Sequence, residues 1–268
     1  MIKTSLPLLQ KERYNFDDLV ELLAILRSPD GCPWDREQTH SSIRNDCIEE
    51  AYEVIDAIDA NNPEMLKEET GDILLQAAFH ARIAEEAGGF DAGDMITGLC
   101  KKLIYRHRHV FGDMTAASGA DALRTWEAQK EAKKNFATVA EDMQSIPKSF
   151  PQTLRAQKAQ KKARKANFDF ADISDAFAKF REEIAEFEAA LSGGSPAEKE
   201  IEAGDCLFAL INVLRLVGID PEIALNRATD KFIRRFTLLE KVITEKGLNM
   251  KEMTAEEIDA FYRNIKCN

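Results

Sequence analysis

The sequence predicts an all-α protein built from two tandem helical-bundle domains related by internal duplication. Apolar residues recur at helical spacing along nearly the whole chain, and no convincing alternating strand pattern occurs. One acidic pattern also returns at a fixed distance. Shifting the chain by 133 residues lays Glu49, Glu50 and Glu53 on Glu182, Glu183 and Glu186. The same shift lays Pro63 on Pro196, Glu69 on Glu202, Gly71 on Gly204 and Asp72 on Asp205, without a gap.

Taken in order, the first helix is expected over residues 16–27, with Leu19, Leu22, Leu23 and Leu26 on one stripe, stopping at SPDGCPWD. A second is expected over about 42–59, carrying Ile48, Ala51, Val54, Ile55 and Ile58. Asn61-Asn62-Pro63 breaks it, and a long helix then runs to the Gly88-Gly89 stop. Residues 91–105 and 120–134 give two more. The stretch around 135–151 has weak periodicity and two prolines, which places a linker at 138–150 between a domain at 1–137 and another at 151–268. Helices resume over 152–166, 173–191, 196–217, 221–246 and 254–265.

Composition narrows the function. Of 268 residues, 44% are hydrophobic and 31% charged, as in a folded globular protein. A net charge of −11 opposes binding to nucleic acid or an anionic membrane. No apolar run is long enough to span a bilayer, and MIKTSLPLLQKERYNF lacks the apolar core of a secretory signal, so a cytoplasmic location is expected. The five cysteines are scattered without a CxxC, which argues against a disulfide framework or a zinc site.

The acids point to chemistry through their placement. Residues three or four apart share a helix face, so Glu50 pairs with Glu53, and Glu69 with Asp72 on the next helix. Fifteen residues separate Glu53 from Glu69, which brings the chain up one helix and back to the same level. Four carboxylates then converge, beside a helix so apolar (ILLQAAFHARIA, and CLFALINVLRLV in the repeat) that it is expected inside a bundle. Crowded carboxylates take up protons or bind divalent cations, and all-oxygen ligation favours Mg²⁺ or Mn²⁺. A single EExxE is ordinarily a solvated helix face; its pairing with ExxGD, twice, is what separates this chain from that case. Gly71 and Gly204 are expected to admit a neighbouring helix or a phosphate.

Cations follow the acids. Lys102 and Arg106 share a face, Lys231 and Arg235 repeat the pattern, and Trp126 with Lys130 matches Tyr262 with Lys266 as aromatic-xxx-Lys. Under the 133-residue shift, however, Lys179 corresponds to Asp46.

At these residues the sequence resembles the MazG family of all-α nucleoside triphosphate pyrophosphohydrolases, in its two-domain bacterial form. The resemblance rests on EEAYE…ETGD and EEIAE…EAGD, on GCPWDREQTH at 31–40, RHRHVF at 106–111, and IPKSFPQTLRAQKAQKKA from 146. It covers nearly the whole chain and makes both bundles MazG-like. It implies a homodimer that hydrolyses a nucleoside triphosphate to the monophosphate and pyrophosphate, mainly in the C-terminal domain. It implies Mg²⁺ at Glu183, Glu186, Glu202 and Asp205, and nucleotide contacts from Lys179, Lys231, Arg235, Tyr262 and Lys266. Glu182 is the expected uncoordinated carboxylate that orients water, and Glu50, Glu53, Glu69 and Asp72 form the second metal set. Two positions depart from the family: Tyr262 stands where Trp is usual, and the VGFDW after the basic helix reads ANFDF, leaving its glycine's role open. The competing readings are a pyrophosphatase of the same superfamily acting on dUTP, dCTP or phosphoribosyl-ATP, a sensor that binds nucleotide or metal without turnover, and a helical scaffold for a basic partner.

Overall fold

The computed structural model describes residues 7–132 and 136–266, and within them the chain is helical with no strand. It divides into two compact units, Met1–Lys134 and Asn135–Asn268. The first holds α1 (Phe16–Leu26), α2 (Pro33–Glu37), α3 (Asp46–Asp59), α4 (Pro63–Glu86), α5 (Ala92–Arg106), α6 (Arg108–Phe111) and α7 (Gly119–Ala132). The second holds α8 (Val139–Gln144), α9 (Gln152–Lys165), α10 (Ile173–Gly193), α11 (Pro196–Leu216), α12 (Pro221–Glu245) and α13 (Ala255–Lys266).

Each unit is organised around a tight helical hairpin, α3–α4 in one and α10–α11 in the other. The turns are written in the sequence. Asn62 caps α4 by accepting from the Glu64 and Met65 amides, with Pro63 in the first turn, where its missing N–H costs nothing. Ser195 and Glu198 form a capping box at the start of α11, ahead of Pro196.

In the first unit the core is Leu23 of α1, Ile43, and Ala78 and Phe79 of α4, flanked by Phe16, Leu19, Leu75 and Ile83. Ile43 corrects the expected start of the second helix. Residues 39–45 form turns, in which Thr39 and Ser42 exchange side-chain-to-backbone hydrogen bonds, and α3 begins only at Asp46. This turn drops Ile43, 3% exposed, into the core. GCPWD, read as a stop, also carries the short α2.

Arg27 at the end of α1 ties these parts together. It is buried, donates to both oxygens of Glu86 and to the carbonyls of Asp35 and Gln38, and lies 5.4 Å from the Phe79 ring centroid. In the second unit, α8 falls in the stretch read as a linker, and its Asp142 pairs with Lys162 of α9 at 2.5 Å. Thr153 of α9 donates to Glu222 of α12.

The apolar helices are less enclosed than expected. Ile73 and Leu74 of α4 and Leu207 and Phe208 of α11 are exposed, because each unit has too few helices to cover every face of its hairpin. Gly71 and Gly204 likewise meet no neighbour among the described residues: a Cβ at either would have nothing within 4 Å, so the expected close helix approach does not occur among them. Cys32, Cys47, Cys100 and Cys206 are free thiols, and Cys267 lies outside the described residues.

The Arg27–Glu86 pair yields a pH prediction. Hydrogen bonds from Arg27, then Arg82, hold the Glu86 carboxyl below its ordinary 4.5. A depressed carboxyl stabilises the fold above its unfolded pKa, and that contribution fades as pH falls through the folded value. Arg27→Met should cost roughly 2–3 kcal/mol at neutral pH and flatten the loss of stability below about pH 4.5, read by urea unfolding across that range.

Candidate functional site

The first acidic set forms as the spacing requires. Carboxylate oxygens of Glu50 on α3 and of Glu69 and Asp72 on α4 all lie within 4.8 Å of one another. Glu53 is exposed, and its charge adds to that around both Glu50 and Glu69. Burial, then the charges of neighbouring acids, pushes Glu50 and Glu69 above the ordinary carboxylate range.

The second set is built the same way from α10 and α11, with one difference. Oxygens of Glu183, Glu186 and Glu202 lie within 4.8 Å of one another. Asp205 is outside that trio, yet all four acids act on the Cys206 thiol, which burial and their charge push upward. Lys179 enters this set directly, 2.6 Å from Glu182 and 2.8 Å from Glu183. Its two carboxylate partners hold the ammonium well above its ordinary pKa, while Lys179 partly offsets the upward push on Glu186 from burial and Glu183. Glu182 is exposed and leans on Lys179. In the first unit the equivalent position is Asp46, which adds to the negative charge: it helps raise the Cys47 thiol, mainly shifted by burial.

A cavity of about 630 Å³ opens beside the second set, with Lys179, Glu183 and Asp205 on one side and Phe168, Phe170 and Phe208 among its walls. Its shape depends on ANFDF. The α9 helix ends with Asn167 at φ 59°, while Phe168 N–H reaches back to the Ala163 carbonyl and Asn167 N–H to that of Arg164. This is a left-handed helix terminus, and Asn is the side chain that best replaces glycine there. Asn167 therefore caps the C-terminus of α9. The turn delivers Asp169 to Arg215, a buried arginine in the apolar run of α11.

Other expected residues stand elsewhere. Lys231 and Arg235 are on α12 and Tyr262 on α13, and none of them lines this cavity. The Lys266 side chain lies outside the described residues. In the first unit, Arg106 and Lys130 sit over the Trp126 ring at 5.1 and 5.2 Å from its centroid, so the ring receives two cations. Sequence reasoning assigned nothing to Gln160, Asp169, Asn212 or Arg215. One signal was present, a lone arginine in CLFALINVLRLV.

Comparison with known proteins places this geometry. The model of the MazG nucleotide pyrophosphohydrolase domain matches residues 38–111, which hold the first acidic set. The whole chain is similar to a nucleoside triphosphate pyrophosphohydrolase/pyrophosphatase MazG of Thermotoga maritima, 42% identical over 94% of this chain and 95% of that protein. The chain belongs to the MazG family. The chain is also similar to a nucleoside triphosphate pyrophosphohydrolase of Escherichia coli, 38% identical over 93% of this chain and 96% of that one, and to the uncharacterized protein YabN of Bacillus subtilis, 40% identical over 94% of this chain but 52% of that protein. Similarity to MazG proteins thus runs through both units, although the domain model falls on the first alone.

The cap at Asn167 is directly testable. Asn167→Gly should leave stability within about 0.5 kcal/mol of the parent, whereas Asn167→Val should cost roughly 1–2 kcal/mol, measured by thermal unfolding.

Proposed function

We propose that this chain hydrolyses nucleoside triphosphates to the monophosphate and pyrophosphate, in a Mg²⁺-dependent reaction centred on the second unit. Family membership supports the reaction class, since curated relatives of similar length bear that activity in their names. The observation that carries the choice of unit is Lys179 set between the second carboxylate cluster and the cavity. A triphosphate needs both counter-charge and room for the nucleoside, and both are beside this cluster.

The donor set fits a hard dication. Three carboxylates within 4.8 Å, without sulfur or imidazole among them, repel one another until a cation or protons intervene. Glu183, Glu186 and Glu202, with Asp205 from the next turn of α11, would hold Mg²⁺ or Mn²⁺. Bound there, the ions would neutralise phosphate charge and acidify water. The chain's own residues do the rest. Lys179 binds phosphate oxygens as a point charge. Glu182, outside the cluster, orients the attacking water and takes its proton. The new bond joins water oxygen to the α-phosphorus, the bond from that phosphorus to the β-bridging oxygen breaks, and pyrophosphate leaves. Lys231, Arg235, Tyr262 and Lys266 would contact nucleotide from α12 and α13. Homodimerisation would bring them to a triphosphate and cover exposed Phe232, Ile233 and Leu207. The first set, Glu50, Glu53, Glu69 and Asp72, would bind metal in a structural or regulatory role, because Asp46 gives it no cation. The two units then read as diverged copies, both placed in the cytoplasm.

Two measurements check this. Glu202→Gln with Asp205→Asn should lower Mg²⁺-dependent pyrophosphate release at least about 100-fold, while Glu69→Gln with Asp72→Asn retains most of it; equal losses would sink the asymmetry. Release of orthophosphate in place of pyrophosphate would overturn attack at the α-phosphorus.

A further inference from the structure

Two histidines from different elements of the first unit meet edge to edge. His40 lies in the turn before α3, and His80 is on α4, about two turns beyond Asp72. Their Nδ1 atoms are 2.8 Å apart, with ring centroids 5.1 Å apart and planes 16° from parallel. One ring radius on either side of the contact accounts for the rest of the centroid separation. The two nitrogens therefore point straight at each other, the geometry of an in-line N–H···N hydrogen bond and not of stacked rings. Such a contact needs one nitrogen with hydrogen and one with a lone pair, whether the pair is neutral or carries one charge. With both rings charged, two N–H groups and two positive charges face each other, and the contact opens.

The surroundings of His80 favour its neutral form. His80 is half-buried while His40 is exposed, and burial, then His40, pushes His80 below its ordinary 6.5. From α3, the Cys47 thiol lies 3.5 Å from His80 Nε2, and burial, then the charge of Asp46, keeps that thiol protonated. Along α4 the residues one turn away are Gln76, Ala77, Ile83 and Ala84, none of them titratable. From α1, Arg27 reaches the neighbouring Phe79 ring but is committed to Glu86. Among the described residues no carboxylate from α1, α3 or α5, the helices packed on α4, offsets a charge on His80.

What the contact fastens is the start of α3. Of residues 39–45 only Ile43 is buried, among Ala78 and Phe79 of α4. Ile43 and His40 are thus the attachments of this turn to α4 among the described residues. The helix has no side-chain cap of its own, because Asn45 at its N-cap makes no capping bond. Its first two turns carry Glu50 of the first acidic set.

We propose that the His40–His80 contact is an acid-opened latch on the turn that launches α3, closed while one proton lies between the facing nitrogens and open when both rings are charged. The sign follows from proton counting. Below pH 6.5 the open turn can take a proton on each ring, whereas the closed turn resists the second, so the closed form loses stability as pH falls. Opening frays the helix end that leads into the first acidic set. The second unit has no such response, because all four histidines of the chain, His40, His80, His107 and His109, lie in the first. The inference is independent of the nucleotide reading.

The test follows amide hydrogen exchange of the full chain between pH 7 and pH 5, corrected for the intrinsic pH dependence of exchange. The Thr39, Ser42 and Ile43 amides, all hydrogen-bonded within the turn, report on it. In the parent their protection should fall about 10-fold or more across that range, while α10 and α11 change less than about 2-fold. In His40→Asn the amide NH₂ donates to neutral His80, and a turn of the amide lets its oxygen accept from the charged ring. That variant should keep its protection within about 2-fold at every pH. His40→Ala should be poorly protected throughout; should it fail to fold, the asparagine variant still decides. Ring-proton NMR should show His40 and His80 charging in steps at least about one pH unit apart. Parent protection that does not change overturns the latch, as do two rings that titrate independently. Loss in His40→Asn as large as in the parent overturns it too, by assigning the effect to other groups.

Discussion

Mutual repulsion among carboxylates held at one level of a helical hairpin is the constraint on which this protein depends. An i,i+3 pair on each of two adjacent helices cannot be separated without unwinding a helix or parting the hairpin. The Asn62–Pro63 and Ser195–Pro196 caps prevent both by fixing where the second helix starts. The chain therefore carries concentrated negative charge at two places, and each must be offset. In the first unit burial and the charges of neighbouring acids, Glu53 among them, raise Glu50 and Glu69 toward protonation. In the second, Lys179 does part of that work.

The difference of one side chain, lysine against aspartate, separates two otherwise parallel sets. A cation inside a carboxylate cluster lowers its appetite for protons and gives an incoming polyanion a point of attachment. An aspartate at that place does neither. Divergence after a duplication would produce this pattern, with the acids kept and the lysine present in one copy. In the first unit Arg106 and Lys130 both lie over the Trp126 ring.

The cavity depends on a second, less obvious chain of contacts. Asn167 turns the backbone, Asp169 then meets Arg215, Arg215 orients Asn212, and Gln160 is held across by the Phe208 carbonyl. Gln160 and Arg215 in this chain are buried, Asp169 and Asn212 half-buried, and the Gln160 Oε1 is left without a partner. The surrounding apolar faces, with Leu207 and Phe232 exposed, are more open than in a sealed bundle.

Local chemistry was legible in the sequence. Helix periodicity, proline and capping residues marked the long helices, and the i,i+3 spacing of the acids anticipated that Glu50, Glu69 and Asp72, and likewise Glu183, Glu186 and Glu202, come within 4.8 Å of one another. Short elements and irregular turns were not legible: α2, α6 and α8 are too brief to show a period, and Ile43 looked like the start of a helix because an apolar residue in a turn carries no periodic signature. Nor were the hydrogen-bond partners of Gln160 and Asn212. Their hydrogen-bonding sense is set by partners that the fold supplies, in one case 48 residues away, and an amide side chain reads identically in sequence whichever end it offers. The sequence by itself determined the helices, the carboxylate sets and the cation that distinguishes them, because those follow from spacing along one or two helices. Only the tertiary structure decided which residues line the cavity and which buried polar atoms are left without a partner, because hydrogen-bond satisfaction is a property of packed elements and not of a segment.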